Sequence, residues 1–248
     1  MARRSGHMRP HVAKGMIRKP AGAGYSTKTQ RGDPMITLSA FRWVPPFAQG
    51  LVRDLRVRWA LEEAGIPYQE KLIGPEDQAG AVYRALQPFG QVPAIESGDL
   101  KLFESGAIVI HIAEGSEALM PPDPNGRART SAWIFAALNS VEPQIQGLIE
   151  VDVFYSCETW APLRRPIVVQ AVQKRLTAVE NWLGDRNYLE NRFTAADLMM
   201  TTVLRILRHT DLVSERPRLK AYQERCEARP AFKKALADHL KPFEAIAG

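Results

Sequence analysis

The hydrophobic pattern of this 248-residue chain changes its period once, near residue 115. Between residues 35 and 115, short apolar runs typical of strands alternate with helical patterns in the order β-α-β-α-β-β-α. A helical crossover suits parallel strands, and two strands joined by a short turn suit an antiparallel hairpin. Residues 116–125 are a linker rich in proline, and residues 126–248 have a helical period throughout. The chain is therefore predicted to join an α/β domain to an all-helical C-terminal domain.

The pattern also predicts individual elements. The predicted strands cover residues 36–41, 67–73, 92–95 and 100–103, and helices cover residues 51–64, 76–86 and 104–114. The C-terminal domain is predicted to hold helices at about 126–157, 166–184, 194–209, 217–228 and 230–240. Pro143 and Pro162 are expected to kink or end helices, because proline lacks the N–H that a helix interior requires.

The positive charge is concentrated at the N-terminus. The whole chain has 33 basic and 27 acidic side chains, a net charge of +6, which would suggest a nucleic acid or another anionic partner. Residues 1–34, however, hold eight of the basic side chains and one acidic side chain, so the remainder has a net charge of −1. We predict a disordered basic extension over residues 1–34, with a transit peptide or an anion-binding arm as alternatives, and Met35 as a possible translation start. The body gives no reason to expect nucleic acid.

Apolar runs and cysteines restrict the compartment and the chemistry. The longest apolar runs, such as residues 107–110, fall far short of the roughly 20 residues that span a bilayer, so no membrane partner is expected. Cys157 and Cys226 cannot build a disulfide framework, which indicates a reducing, cytoplasmic compartment. Both are expected to be buried as small hydrophobic side chains. The five histidines lack metal-ligand spacing, so no metal site is predicted.

A proline at the mouth of a predicted strand marks the first candidate site. Gly90, Gln91, Val92 and Pro93 precede the apolar residues of that strand, where proline removes a hydrogen-bond donor from the ladder. A cis Val92–Pro93 bond would turn the Val92 backbone N–H and C=O outward to a ligand. An ordinary trans proline at a strand start is the alternative.

The second candidate site is the strand-to-helix junction at Glu104 and Ser105. These residues could simply cap the helix and satisfy its first N–H groups. They could instead hold the head of an amino acid, with its carboxylate at the helix N-terminus and its ammonium group at Glu104. The residues alone leave both readings open.

Together with this element order, the two motifs resemble the glutathione transferase superfamily, in particular its bacterial-type cytosolic members. The resemblance extends from Met35 to the C-terminus and is also carried by residues 56–68, 193–198 and 229–232. It implies a thioredoxin-like N-terminal domain, residues 35–115, and an all-helical C-terminal domain, residues 126–248. Within residues 193–198, Thr194 is expected to cap a helix and Asp197 to accept from the N–H of the capping residue.

The resemblance also implies a ligand and its binding residues. The Val92 backbone, shaped by Pro93, would pair with the cysteinyl amide of glutathione, and Gln91 would lie near the peptide. Glu104 and Ser105 would hold the γ-glutamyl end. The implied enzyme is a cytosolic homodimer that uses glutathione as a cosubstrate, needs no metal and detoxifies small hydrophobic electrophiles, or performs thiol–disulfide or peroxide chemistry.

The chain departs from the family where the glutathione sulfur is normally controlled. The family places a Tyr, Ser or Cys there, but residues 47–54 contain none of these, and Ser39 lies too early, inside the first strand. Arg53 lies in this zone, and a guanidinium can lower the pKa of a thiol through charge stabilisation. Arg53 is the candidate catalytic residue; the alternative is an ordinary ion pair with Asp54, Glu62 or another surface acid.

Two further alternatives stay open. Because the usual Tyr, Ser or Cys is missing, the chain could be a non-catalytic module of the same fold that binds glutathione or another protein. Five aromatic side chains of the helical domain either line the electrophile pocket or belong to the core, namely Trp133, Phe135, Phe154, Tyr155 and Trp160.

Overall fold

The computed structural model describes residues 34–244, so the prediction for the basic extension falls almost entirely outside the described residues. The strands are β1 (Ile36–Phe41), β2 (Tyr68–Ile73), β3 (Ala94–Ser97) and β4 (Leu100–Phe103). The helices are α1 (Asp54–Ala64), α2 (Pro75–Ala79), α3 (Ala81–Leu86), α4 (Ser105–Glu114), α5 (Pro124–Phe135), α6 (Glu142–Ile149), α7 (Ala161–Leu183), α8 (Ala195–Leu204), α9 (Pro217–Glu227) and α10 (Pro230–Glu244). Two π-helical segments, Ala136–Val141 and Glu150–Phe154, and two 3-10 segments, Pro46–Ala48 and Arg205–His209, lie between them.

The four strands form one mixed sheet in the order β2-β1-β3-β4. β1 is parallel to β2, as a connection through α1 requires, and β3 is antiparallel to both β1 and β4. Leu38 of the central strand β1 is fully buried. This arrangement, followed by helices alone, confirms the predicted fold class of a thioredoxin-like domain joined to an all-helical domain.

Several predicted boundaries were wrong. The helix predicted over residues 76–86 is two helices, because Gly80 has an extended backbone between them. The first helix begins at Asp54 rather than at residue 51. The long helix predicted over residues 126–157 is interrupted by the two π-helical segments. Pro143 follows the junction between the first π-helical segment and α6, in agreement with the expected interruption, whereas Pro162 lies in the first turn of α7.

Helix α1 packs between the sheet and the helical domain and joins their cores. Trp59 on α1 is fully buried, and its ring lies 5.8 Å from that of Phe193 and 4.7 Å from that of Phe232. Cys226 is buried in the same core, as predicted. The prediction for Cys157 was wrong: this residue is exposed, in the turn that follows the second π-helical segment.

The start of α8 has the predicted capping arrangement. The Thr194 hydroxyl accepts a hydrogen bond from the Ala196 N–H at 3.3 Å, and Asp197 Oδ2 accepts from the Thr194 N–H at 2.9 Å. The other carboxylate oxygen of Asp197 accepts from the Leu189 N–H at 2.8 Å and from the Tyr222 hydroxyl at 3.1 Å. Asp197 therefore ties α8 to α9 and to the segment before α8, and it has a structural role.

Asp197→Ala is expected to lower the free energy of unfolding by about 3–5 kcal/mol, because it leaves several buried donors without an acceptor. Urea unfolding followed by circular dichroism measures the change. Asp185→Ala is the control, since the Asp185 side chain is fully exposed and its removal should leave the transition unchanged. Equal midpoints for the two variants would contradict the structural role.

Candidate functional site

A cleft of about 360 Å³ lies between the sheet domain and the helical domain. Its walls are mostly apolar and come from both domains: Phe41, Phe47, Leu51, Val52, Ile149, Val153, Phe154 and Ile206. The cleft brings together three residues singled out from the sequence, Arg53, Gln91 and Val92. It is large and apolar enough for a small ligand, with polar groups at its edges.

Of the five aromatic candidates, all of which lie in the described part of the chain, Phe154 alone lines this cleft. Phe154 faces Phe47 of the opposite domain, with ring centres 6.0 Å apart in an edge-to-face arrangement. Trp133 packs instead on Trp182 at 5.2 Å. One ring from each domain therefore meets in the wall of the cleft.

The loop before β3 has the cis form of the Val92–Pro93 bond. It is held from behind, since the Gly90 carbonyl accepts from Gln78 Nε2 at 2.8 Å and the Gln91 carbonyl accepts from the Tyr83 hydroxyl at 2.6 Å. Val92 precedes the first pair of the β3–β4 ladder, which joins Ala94 to Phe103. The loop is thus fixed in position before a ligand arrives.

The junction at the start of α4 carries backbone strain. Glu104 has a φ of 69°, a left-handed conformation that a non-glycine residue adopts only where its surroundings impose it. Glu104 is exposed, whereas Ser105 is buried at the helix N-terminus and its Oγ accepts from Arg56 Nη1 at 3.2 Å. Neither Glu104 nor Ser105 belongs to the cleft wall. Arg56 does belong to the wall, and its hydrogen bond to Ser105 connects Ser105 to the cleft.

Two arginines share one carboxylate of the helical domain: Arg53, in the turn before α1, and Arg56, in α1 itself. Arg53 donates to Glu142 Oε1 through Nε at 3.1 Å and Nη2 at 2.9 Å, and Arg56 Nη2 lies 3.0 Å from Glu142 Oε2. The Glu142 side chain is 6% exposed, whereas that of Arg53 is 43% exposed. Burial opposes the charge of Glu142, but Arg56 and Arg53 outweigh it and hold its pKa below the ordinary value.

Arg53 forms an ion pair, as the alternative for this residue expected. Its partner is the buried Glu142 rather than Asp54, Glu62 or another surface acid. Among the described residues, these two guanidinium groups share a single carboxylate, so the cluster has a net charge of +1. Sequence reasoning missed Arg56 and Glu142, because the latter lies 89 residues from Arg53 and no local motif joins them.

The loop before α1 is held by a second buried network. Gly50, at a φ of 76°, donates its N–H to His239 Nε2 at 3.1 Å, so the histidine proton lies on Nδ1 and is donated to Asp54 Oδ2 at 3.0 Å. Arg58 donates to the same oxygen at 2.7 Å and also to Glu70. On the other side, Arg205 Nε donates to the Gly50 carbonyl at 3.1 Å. The backbone leading to Arg53 is therefore anchored by α10 and by the 3-10 segment of the helical domain.

The described residues contain no group of three or more His, Cys, Asp or Glu side chains placed to share a metal ion. None of the helices within residues 34–244 combines the length and the apolar character needed to cross a membrane.

Comparison with protein families and known proteins identifies the wider relationship. The family described as "Glutathione S-transferase, N-terminal domain" matches residues 49–114, and "Glutathione S-transferase, C-terminal domain" matches residues 164–230. A glutathione S-transferase of Arabidopsis thaliana is 34% identical over 196 residues, which is 72% of this chain and 76% of that protein. A glutathione S-transferase of Hyoscyamus muticus is 31% identical over 73% of this chain and 92% of its own length.

Solved structures show the same relationship. A glutathione transferase from Burkholderia graminis, with two glutathione molecules bound per subunit, matches with a TM-score of 0.71 and 25% identity over 82% of this chain and 88% of that one. A Populus trichocarpa glutathione transferase matches with a TM-score of 0.69 and 26% identity over 83% and 99%. The sequence and the fold agree, and the chain belongs to the glutathione S-transferase family.

Proposed function

We propose that the chain binds glutathione along the α/β side of the cleft and activates its thiol for attack on a small hydrophobic electrophile. Glutathione transferase activity is what the named relatives support, and the residue roles below are our proposal. The observation that carries it is the position of the cis Val92–Pro93 loop beside the Arg53–Glu142–Arg56 cluster, on an otherwise apolar cleft.

The peptide of glutathione would add to the loop before β3 as a short antiparallel strand. The Val92 N–H and C=O would exchange hydrogen bonds with the cysteinyl amide, in the manner of strand addition at a sheet edge. Pro93 gives the loop its turn, and the exposed side chain of Gln91 lies beside it. The bond from the Tyr83 hydroxyl to the Gln91 carbonyl keeps this edge rigid.

The γ-glutamyl end would bind at the start of α4. The Arg56 guanidinium donates to Ser105 Oγ, so the hydroxyl hydrogen of Ser105 is left to donate to the ligand carboxylate. The N-terminus of α4 adds backbone N–H groups and a positive dipole end. Glu104, exposed and held in its strained conformation, would accept from the ligand ammonium group.

The sulfur would lie near the first turn of α1, where Arg53 supplies positive charge. The proton of the glutathione thiol passes to solvent. The resulting thiolate attacks the electrophilic carbon, and the leaving group on that carbon departs with the bonding electrons. Because Arg53 and Arg56 share only one carboxylate, the cluster retains a net positive charge that favours the thiolate. The apolar walls would hold the electrophile.

A non-catalytic module is the second candidate, since residues 47–54 contain no Tyr, Ser or Cys. Assays with a chloronitrobenzene, a mixed disulfide of glutathione and an organic hydroperoxide discriminate between the candidates. We expect conjugation of the chloronitrobenzene to dominate, because Cys226 lies in the core and Cys157 is not among the residues of the cleft wall. Glutathione binding without turnover of any of the three would favour the module.

We also propose a homodimer in the cytosol. Two free thiols fit a reducing compartment. A second, apolar hollow on α4 and α5 fits a subunit contact; it includes Ala107, Ile110 and Phe135, and Phe135 is 53% exposed.

Phe135→Glu is expected to convert the dimer to a monomer, because a charge in the centre of an apolar contact must lose its hydration. Sedimentation velocity measures the mass. Leu163→Glu is the control, since Leu163 is an exposed apolar residue on α7, and this variant should sediment with the same mass as the wild type. A monomeric wild type would contradict this proposal.

A further inference from the structure

The described part of the cleft wall includes a cation, Arg208, that the proposed glutathione site does not use. Arg208, in the 3-10 segment Arg205–His209 of the helical domain, lies in the cleft wall beside Ile206 and Phe47. Its Nη2 donates to the Phe47 carbonyl at 2.8 Å. Within residues 34–244, no carboxylate forms an ion pair with it, whereas its neighbour Arg205 is paired with Glu227 at 3.0 Å.

The acids around this part of the cleft are bound by other cations. Glu142 is shared by Arg53 and Arg56, and Asp152, which contacts His209 at 3.3 Å, is held by Arg165 at 2.7 Å. Partial burial, together with the nearby positive charge of Arg205, lowers the pKa of Arg208. Both influences disfavour an isolated cation, and a bound anion would offset them.

Arg208 and the glutathione residues lie on different domains. Every residue to which we assign glutathione falls between positions 53 and 105, on the α/β side. Arg208 faces the cleft from the helical side, next to the apolar walls proposed for the electrophile. An anion at Arg208 would therefore belong to the second substrate rather than to glutathione.

We propose that Arg208 binds an anionic group of the electrophile, so that the preferred cosubstrates are apolar electrophiles bearing a carboxylate. This inference rests on the proposed glutathione transferase function. For a chloronitrobenzoate, the thiolate sulfur forms a bond to the ring carbon, chloride leaves with the bonding electrons, and the carboxylate stays bound to Arg208 without reacting.

The test compares 4-chloro-3-nitrobenzoate with its neutral carboxamide, 4-chloro-3-nitrobenzamide. Arg208→Gln is expected to raise KM for the benzoate at least tenfold, because a hydrogen bond between two charged groups is lost. KM for the benzamide and KM for glutathione should change less than twofold. Arg208→Lys should restore part of the preference, and Arg164→Gln, an exposed position with the same change in charge, should behave like the wild type.

Three results would overturn the proposal. An equal loss with both electrophiles would mean that Arg208 only holds the Phe47 carbonyl. If Arg208→Gln raises only KM for glutathione, the anion that Arg208 binds belongs to glutathione. Calorimetry can also compare the affinity of the wild type for the glutathione conjugates of the benzoate and of the benzamide. Equal affinities would exclude an anion subsite at Arg208, even if the enzyme turned over neither electrophile. Turnover of the benzamide by the wild type tests the underlying transferase function separately.

Discussion

Replacing Asp54 by alanine is expected to lower the free energy of unfolding by about 3–5 kcal/mol. The Asp54 side chain is 2% exposed, and its Oδ2 accepts from Arg58 Nε at 2.7 Å and from His239 at 3.0 Å. Without it, Glu70 is the acid that remains paired with the buried Arg58 among residues 34–244, and His239 loses the group that orients its ring. An uncompensated buried charge is among the largest penalties that a single substitution imposes.

Urea unfolding of Asp54→Ala measures this loss, with the exposed Glu117→Ala as the control that should unfold like the wild type. Asp54→Asn should be destabilised less than the alanine variant, since the amide oxygen can still accept the two hydrogen bonds that Oδ2 accepts, although it carries no charge. If the free energy of unfolding of Asp54→Ala lies within about 0.5 kcal/mol of the wild-type value, a range typical of exposed sites, the buried network contributes little.

The same network predicts how stability depends on pH. Burial alone would raise the pKa of Asp54, but His239 and Arg58 outweigh it and hold the folded-state pKa below the ordinary value of 3.8. The folded state therefore binds this proton less readily than the unfolded state. The contribution of Asp54 is fully present above pH 3.8 and is lost as the pH falls through the lowered folded-state pKa. The stability difference between wild type and Asp54→Ala should shrink on acidification in that window.

Arg53→Ala is expected to raise the pKa of the bound glutathione thiol by about 1–2 units, because a cation near the sulfur is removed. At pH 6.5, below the pKa of the thiol, kcat/KM should fall about ten- to a hundredfold, following the lost thiolate fraction. Above about pH 9.5, where an ordinary thiol is ionised, the two rates should converge. Thiolate absorbance of the bound glutathione as a function of pH measures the pKa directly.

Arg53→Lys tests whether charge alone is sufficient. The ammonium group should keep part of the pKa shift but cannot reproduce the two bonds that Arg53 makes to Glu142. Arg127→Ala, which removes a half-buried cation on α5 outside the cleft wall, is the matched control. Identical pH profiles for wild type and Arg53→Ala would remove Arg53 from the mechanism, and a water molecule or a backbone N–H would then have to stabilise the sulfur.

The sequence predicted those features of the fold that depend on residues close together in the chain. The strand and helix order, the capping by Thr194 and Asp197, and the burial of Cys226 each follow from short patterns of apolar and polar residues. The interruption at Gly80 also has a local signal, since a glycine lies within the predicted helix. The residues alone allow a cis or a trans Val92–Pro93 bond, and it is the family resemblance that favours the cis form found in the structure.

The sequence could not predict which distant side chains meet at the cleft. Glu142 lies 89 residues from Arg53, and His239 lies 185 residues from Asp54. Ion pairs and hydrogen bonds of this kind form because the two domains pack on both sides of α1, and packing has no signature within a short window. The same holds for Cys157, whose exposure depends on where α7 begins relative to the preceding turn.

Calorimetric titration with glutathione tests the central claim, which is that the cleft binds this peptide through the Val92 loop and the start of α4. The wild type should bind with a dissociation constant below 1 mM (about 4 kcal/mol). Ser105→Ala and Glu104→Gln should each weaken binding about tenfold or more, since each removes a hydrogen bond to a charged group of the ligand. The exposed Ser156→Ala should bind like the wild type. No heat from the wild type at several millimolar glutathione, or equal affinity for all four proteins, would contradict the account.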